Sequence, residues 1–150
     1  MNQEKIMKAK MMTAIIVSIA AMVAAFIFAG LYFDQRKLNR LEYIEQYEAN
    51  ITQAAEELDI FLEKNTDFEL HYNMVLSDLG AARAMIFLVD GKTDEQKAIN
   101  EIHYCFVKYP VQMRERLSAC AQAFHDIADH LDKGYDEVRA IVDSIDRLGN

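Results

Sequence analysis

Residues that interrupt helices are scarce in this chain of 150 residues. It contains one proline and five glycines, while Leu, Ile, Val, Met, Phe and Ala are abundant. Pro and Gly mark turns, and most of the abundant residues are good helix formers. The composition therefore predicts an all-α fold.

Motifs that carry chemistry are also missing. We find no nucleophile elbow, phosphate loop, Cys-x-x-Cys pair or dinucleotide fingerprint. The two cysteines, Cys105 and Cys120, are too few for a disulfide scaffold and lack the spacing of a zinc site. On one continuous helix they would lie ~22 Å apart, although a reversal at Pro110 would bring them closer. We expect two small apolar side chains in a core, no enzyme activity and no cofactor.

Positive charge is in short supply beyond the first ten residues. The chain has 16 Lys and Arg against 24 Asp and Glu. The part that follows residue 33 holds 13 of the basic and 23 of the acidic residues. Such a surface repels phosphate backbones and anionic headgroups. We therefore expect no nucleic-acid binding and a partner that is cationic or neutral.

Residues 11–33 contain no charged side chain at all. As a helix, these 23 residues would span ~34 Å, enough to cross the hydrocarbon core of a bilayer. A cleavable signal peptide ending near Ala25 is the alternative, but the apolar run continues to Phe33 and is too long for an ordinary signal core. The sequence predicts a single-pass protein of the cell membrane. Residues 1–10 form its cytoplasmic tail, 11–33 its bilayer-spanning helix and 34–150 its extracytoplasmic domain.

An apolar stripe follows the membrane segment without an intervening glycine or proline, so we expect the helix to continue as a stalk. Its members alternate at spacings of three and four, which keeps them on one helix face: Ile44, Tyr47, Ile51, Ala54, Leu58 and Phe61. Ala55 and Leu62 widen this stripe toward a bundle face, and the helix is expected to end at Lys64-Asn65. Two copies of the chain could also pair along the stripe.

Two capping signatures predict where the next helices begin. Thr66 with Glu69, and Thr93 with Gln96, have a form in which both side chains satisfy unpaired N–H groups of the first helical turn. The first of these helices carries the stripe Phe68, Tyr72, Val75, Leu79, Ala82, Ile86 and Val89. Within it, Gly80, Ala81 and Ala84 are expected to allow close contact between helices.

The helix that begins at Thr93 is expected to reach Leu131 with one disturbance. Before Pro110, its apolar stripe consists of Ile99, Ile102, Phe106 and Tyr109. After Pro110 the stripe resumes in nearly the same helical phase, and its members there are Met113, Leu117, Cys120, Phe124, Ile127 and Leu131. This continuity predicts a kink or brief break rather than a new direction. A short last helix that ends at Gly149 then carries Val138, Ile141, Val142, Ile145 and Leu148.

Helix lengths indicate how these elements pack. The stalk would rise ~45 Å from the membrane, and the second helix, at ~36 Å, would return most of that distance. The prediction is a transmembrane helix that continues into an antiparallel bundle of about four helices. The end of the second helix would then lie near the bilayer.

Four histidines are the main candidates for polar sites. His125 and His130 flank two aspartates, Asp126 and Asp129, at spacings that can place metal ligands on one helix face. The apolar neighbours claim the core side, so we interpret this group as a solvated face and predict no metal. His71 and His103 are isolated, and we interpret each as a partly buried, hydrogen-bonded imidazole.

One segment is apolar on every side of its helix, more than one bundle face requires. It consists of Met85, Ile86, Phe87, Leu88 and Val89. It is either buried between helices, or it is a contact surface for the membrane interface or a protein partner. The sequence as a whole favours a membrane-anchored interaction or scaffold module of the cell envelope without catalysis. The alternative is an extracytoplasmic four-helix-bundle domain that senses a ligand.

Overall fold

The chain is helical in the computed structural model, which describes residues 2–146 and the side chains of residues 3–146. No strand occurs in this range, so the predicted all-α class is confirmed. There are six helices: α1 (Asn2–Lys64), α2 (Phe68–Ile86), α3 (Thr93–Lys108), α4 (Pro110–Arg114), α5 (Leu117–His130) and α6 (Tyr135–Asp143). The chain divides into two compact units, Met1–Asn39 and Arg40–Asn150.

The first unit contains the uncharged segment. Residues 11–33 are helical throughout, and every one of their side chains is exposed. Among the described residues, one helix, α1, is long and apolar enough to span a membrane by its length and composition. A helix pairs its own backbone N–H and C=O groups, so exposed apolar side chains are the only surface that it would present to lipid.

In the second unit, the C-terminal part of α1 supplies one wall of the core. The predicted stripe is buried at Tyr47, Ile51, Ala54, Ala55, Leu58 and Phe61, which confirms it. Leu62 is different, because 43% of it is exposed. Since the buried stripe lies inside the unit's own core, these side chains are not available for pairing with a second copy.

Helices α2 and α3 begin within two residues of the threonines of the predicted capping boxes, but without the predicted caps. Helix α2 begins at Phe68 after Asp67, whose φ of 54° is left-handed, and α3 begins at Thr93 itself after Lys92; neither has a side-chain cap. Asn65, with a φ of 48°, makes the turn before α2 tight and brings the Phe61 and Phe68 rings to 5.3 Å between centroids. The predicted boxes are wrong because this turn, and not a Thr hydroxyl, sets where α2 begins.

Pro110 marks a reversal of the chain rather than the predicted kink. The rings of Phe106 and Phe124 lie 6.4 Å apart between centroids, whereas a continuous helix would separate these positions by ~27 Å. Tyr109 leaves the helical region at φ −126° and ψ 52°, and a second break at Arg116 separates α4 from α5. Proline suits the first turn of α4 because it has no N–H to leave unpaired there.

The remaining helices pack in a simple order. Helix α3 packs against both α2 and α6, and α5 packs against α6. The predicted stripes supply the core from each of these helices, including Leu79, Ile102, Phe124, Val138 and Ile145. Helix α6 ends at Asp143, and the predicted positions Leu148 and Gly149 lie outside the described residues.

Gly134 sets the close packing of the corner before α6. Its φ is +80°, and a Cβ at this position would lie 2.4 Å from the Ala123 carbonyl oxygen and 2.8 Å from Ile127 Cγ1. No residue with a side chain fits here without moving α5. Glycine is therefore required both for the backbone conformation and for the contact with α5.

Candidate functional surfaces

The predicted contact segment lies where α2 ends. Ile86 and Val89 are 2% and 0% exposed and belong to the core, and Met85 is partly buried against it. Phe87 and Leu88 point the other way, each with 54% of its surface exposed. The structure thus divides the five predicted residues into a buried set and two exposed side chains, and only the latter can meet a partner directly.

Gln96 fixes the turn that presents these two side chains. Its Nε2 donates hydrogen bonds of 3.0 Å to the carbonyl oxygens of both Ile86 and Val89. Carbonyls at a helix C-terminus have no partner within the helix, so this amide supplies one from α3. In the capping-box prediction Gln96 serves the start of its own helix, whereas in the structure it serves the end of α2.

A second apolar stripe runs along the outer face of α2, opposite its buried stripe. We call it the outer stripe; it consists of Leu70, Met74, Ser77, Ala81 and Ala84 on the helix and of Leu88 in the turn beyond it. Leu70 and Met74 are 57% and 40% exposed, Ser77 and Ala84 are exposed, and Ala81 is partly buried. Its spacings of four, three, four, three and four are visible in the sequence, but the buried stripe of the same helix has similar spacings.

A small groove of about 260 Å³ lies on the α2 and α3 side of the unit, and Arg83, His103 and Tyr104 are among its lining residues. Arg83 Nη1 lies 3.4 Å from His103 Nδ1. Burial, and then the guanidinium charge, lower the pKa of His103. The nearest side-chain atom to Gly80 is His103 Nε2, 3.6 Å from the position that a Cβ would take. Gly80 therefore contacts an imidazole inside the unit.

Two histidine–carboxylate pairs connect α1 to its neighbours. His71 Nδ1 on α2 lies 2.7 Å from Glu57 Oε2, and both side chains are mostly buried. His125 Nε2 on α5 lies 2.7 Å from Asp59 Oδ2 at a more exposed position. Burial, and then the charge of Glu57, raise the pKa of Asp78 on α2. These contacts hold helices together, and they confirm His71 as a partly buried, hydrogen-bonded imidazole.

An acidic groove of about 520 Å³ lies between the start of α3, the end of α5 and α6. Six carboxylates line it: Asp94, Glu95, Asp126, Asp132, Asp136 and Glu137. His130 and Tyr135 also contribute. The Tyr135 hydroxyl is hydrogen-bonded at 2.8 Å to the Tyr47 hydroxyl of α1, and burial raises the pKa of both phenols. Lys133 and Arg139 line it as well, and Arg139 is paired with Asp136, so the groove keeps an excess of negative charge.

The histidine and aspartate group on α5 does not converge on one point. His125 is committed to Asp59, Asp126 and His130 line the acidic groove, and Asp129 is exposed. Across residues 2–146, no three His, Cys, Asp or Glu side chains are arranged to hold a metal ion.

Both cysteines lie in the core, as predicted. Burial raises the pKa of Cys120 to about 12. The thiolate is the nucleophilic form of cysteine, so this side chain stays protonated and unreactive at neutral pH.

No protein-family model matches the chain, and no curated protein or solved structure matches it either.

Proposed function

We propose that the chain is a membrane-anchored helical module that binds another protein through the apolar surface at the end of α2. Residues 11–33 cross the cell membrane, residues 1–10 are cytoplasmic, and the domain of residues 34–150, an antiparallel bundle of about four helices, is extracytoplasmic. The module does no chemistry of its own and needs no cofactor.

One observation supports the binding surface above all others. Phe87 and Leu88 expose more than half of their surface, although the turn that carries them is fixed by Gln96 and by the buried side chains on either side. Because the backbone of this turn is already ordered, a partner that covers these large apolar side chains need not order the backbone that carries them. Aromatic anchors of this kind are typical of the central residues of interfaces.

The anchor is supported by the first unit. Its apolar helix exposes residues such as Phe26, Ile27 and Phe28, and an apolar surface of this length has no stable place in water. Insertion in a bilayer removes it from water and restricts the domain to the membrane surface. A binding module gains from this restriction, since confinement raises the effective concentration of partners in the same membrane.

The test is site-specific photo-crosslinking of the full-length chain in intact cells. A photoreactive amino acid at Phe87 should give a discrete adduct with another protein, and the adduct should disappear when Leu88→Ser is added. The matched control places the same amino acid at Gln122, an exposed polar position on α5. Equal adducts at both positions, or none at Phe87, would reject the proposal.

The acidic groove supports a second candidate, a sensor of a small cationic ligand. Its volume of about 520 Å³ is within the ~300–1,000 Å³ range of small-molecule sites, and six carboxylates line it. A polyamine such as spermidine is a suitable probe. Spermidine well above its dissociation constant should raise the melting temperature of the full-length chain, and Asp126→Asn with Asp136→Asn should abolish that rise. Equal rises in the chain with and without these substitutions would exclude the groove.

A further inference from the structure

Two oppositely charged side chains line the small groove where α2 and α3 meet, and they do not neutralise each other. The guanidinium of Arg83 comes from α2 and the carboxylate of Glu101 from α3, and both line the same volume of about 260 Å³. We call this volume the α2–α3 groove. Within the part of the chain whose side chains are described, neither residue forms an ion pair. The groove therefore presents both a positive and a negative group to a ligand.

His103 orients the guanidinium of Arg83 without adding charge to the groove. Arg83 Nη1 lies 3.4 Å from His103 Nδ1. Because burial, and then the charge of Arg83, lower the pKa of His103, the imidazole is neutral at neutral pH. Its Nδ1 can then accept a hydrogen bond from the guanidinium. A guanidinium has five N–H groups, so this bond leaves others to bind a carboxylate.

The other lining residues suit a small molecule with an apolar body. Tyr104 and Val107 are 49% and 57% exposed, so an aromatic ring and a branched aliphatic side chain are open to contact. Asn100 adds an uncharged amide. The groove is smaller than the ~300–1,000 Å³ of pockets for drug-sized ligands. Its volume of about 260 Å³ therefore suits a molecule of the size of a single amino acid.

Hydrogen bonds between α2 and α3 hold the two sides of the groove in place. The Tyr72 hydroxyl on α2 donates to the Phe106 carbonyl oxygen on α3 at 2.7 Å. The Gln96 amide on α3 donates to the Ile86 carbonyl oxygen on α2 at 3.0 Å. These two contacts flank the charged residues of the groove on both helices. A ligand therefore enters a site whose backbone is already ordered, which lowers the entropic cost of binding.

Charge selects the class of ligand. A simple anion would meet the carboxylate of Glu101, and residues 40–150 carry 22 acidic against 11 basic side chains, which repel it further. A simple cation would meet the guanidinium of Arg83. A zwitterion satisfies both charged groups and brings no net charge into the groove.

We propose that the α2–α3 groove binds a free amino acid with an apolar side chain. The carboxylate of the ligand pairs with Arg83, its ammonium group pairs with Glu101, and its side chain lies against Tyr104 and Val107. This site goes beyond the proposed function and does not depend on it, because neither of the two exposed side chains after α2 lines the groove.

Isothermal titration calorimetry of the full-length chain in detergent tests this site, with L-leucine as the probe. Two analogues of leucine each lack one of its charges: isocaproate has no ammonium group, and isoamylamine has no carboxylate. Because hydrogen bonds to charged groups are the stronger ones, leucine should bind at least ~10-fold more tightly than either analogue. Equal affinity for leucine and either analogue would overturn the proposal, and so would the absence of leucine binding at millimolar concentration.

Two variants assign each charge of the ligand to its partner. Arg83→Gln should remove the preference for leucine over isoamylamine, and Glu101→Gln should remove the preference for leucine over isocaproate. Lys133→Gln and Glu137→Gln make the same changes of charge at exposed positions outside the groove and should leave the affinity for leucine unchanged. If Arg83→Gln, at an exposed position, binds leucine as tightly as the unsubstituted chain does, the proposal is wrong, whether or not Glu101→Gln keeps its fold.

Discussion

Gly134→Ala is expected to destabilise the helical unit strongly. Holding alanine at the left-handed φ of +80° costs about 1–2 kcal/mol. The new Cβ would also lie 2.4 Å from the Ala123 carbonyl oxygen and 2.8 Å from Ile127 Cγ1, and such overpacking costs a further ~1–3 kcal/mol. The total of about 2–5 kcal/mol is a large share of the ~5–15 kcal/mol that stabilises a typical domain.

Gly91→Ala is the matched control, because it keeps the backbone cost and removes the contact. Gly91 has nearly the same φ, +81°, but nothing lies within 4 Å of a Cβ built there. This variant should lose only about 1–2 kcal/mol. The difference between the two variants therefore measures the close packing of Gly134 on α5.

Thermal unfolding of the full-length chain in detergent, followed by near-UV circular dichroism, measures both variants. The buried Tyr47, Tyr72 and Tyr135 give this signal its sensitivity to packing in the second unit. For a unit of about this size, each kcal/mol lowers the melting temperature by ~4–8 °C. If the two glycine variants lose the same amount, the packing of α6 on α5 described above is wrong.

Three further predictions follow from single contacts. Burial and the charge of Glu57 raise the pKa of Asp78 in the folded unit. The stability that the protonated carboxyl confers is therefore complete below the usual pKa of 3.8 and is lost as the pH rises through the higher folded-state pKa. Asp78→Asn should stabilise the unit at pH 7 in denaturant titrations, and this gain should vanish on acidification. Gln96→Ala removes the amide that donates to the carbonyl oxygens of Ile86 and Val89 and leaves the former only its bond from the Val89 N–H. This variant should cost about 1–3 kcal/mol in the same titrations, whereas a neutral result would show that water replaces the amide. Phe87→Ser with Leu88→Ser should change the stability by no more than ~0.5 kcal/mol, and loss of cooperative unfolding would show that these side chains belong to the core.

The buried faces of the helices could be predicted from spacing because the core selects apolar residues at helical intervals. The stripe from Tyr47 to Phe61 and that from Tyr72 to Val89 were identified residue by residue in this way. On α2 the bulkier apolar side chains of Tyr72, Val75 and Leu79 distinguish the buried stripe from the small residues Ser77, Ala81 and Ala84 of the outer stripe.

The direction of the chain after Pro110 and the groups that cap the helices could not be predicted from the sequence. The stripe keeps its phase across Pro110 because the helices on both sides face the same core, and a reversed chain satisfies this condition as well as a straight one. Gln96 fits a capping box by sequence, but its amide donates to the carbonyl oxygens of Ile86, at the end of α2, and Val89, in the turn beyond it. Tyr47 and Tyr135, 88 positions apart, carry no local signal of their hydrogen bond.

The exposure of the segment from Met85 to Val89 could be predicted in part. Its excess of apolar residues indicated that no single bundle face could bury all five, and Phe87 and Leu88 are exposed in the structure. The end of α2 and the conformation of the turn after Ile86 determine which two of these side chains remain exposed. The contact with α3 sets both features, and the spacing of neighbouring residues in the sequence does not reveal that contact.

The proposed membrane anchoring requires that residues 11–33 remain in the bilayer. Alkaline extraction of membranes from cells that produce the full-length chain, followed by mass analysis of the extracted and retained fractions, tests this. We expect the chain in the retained membrane fraction with residues 11–33 still attached. A chain that is released into the alkaline supernatant and begins after Ala25 would contradict the account.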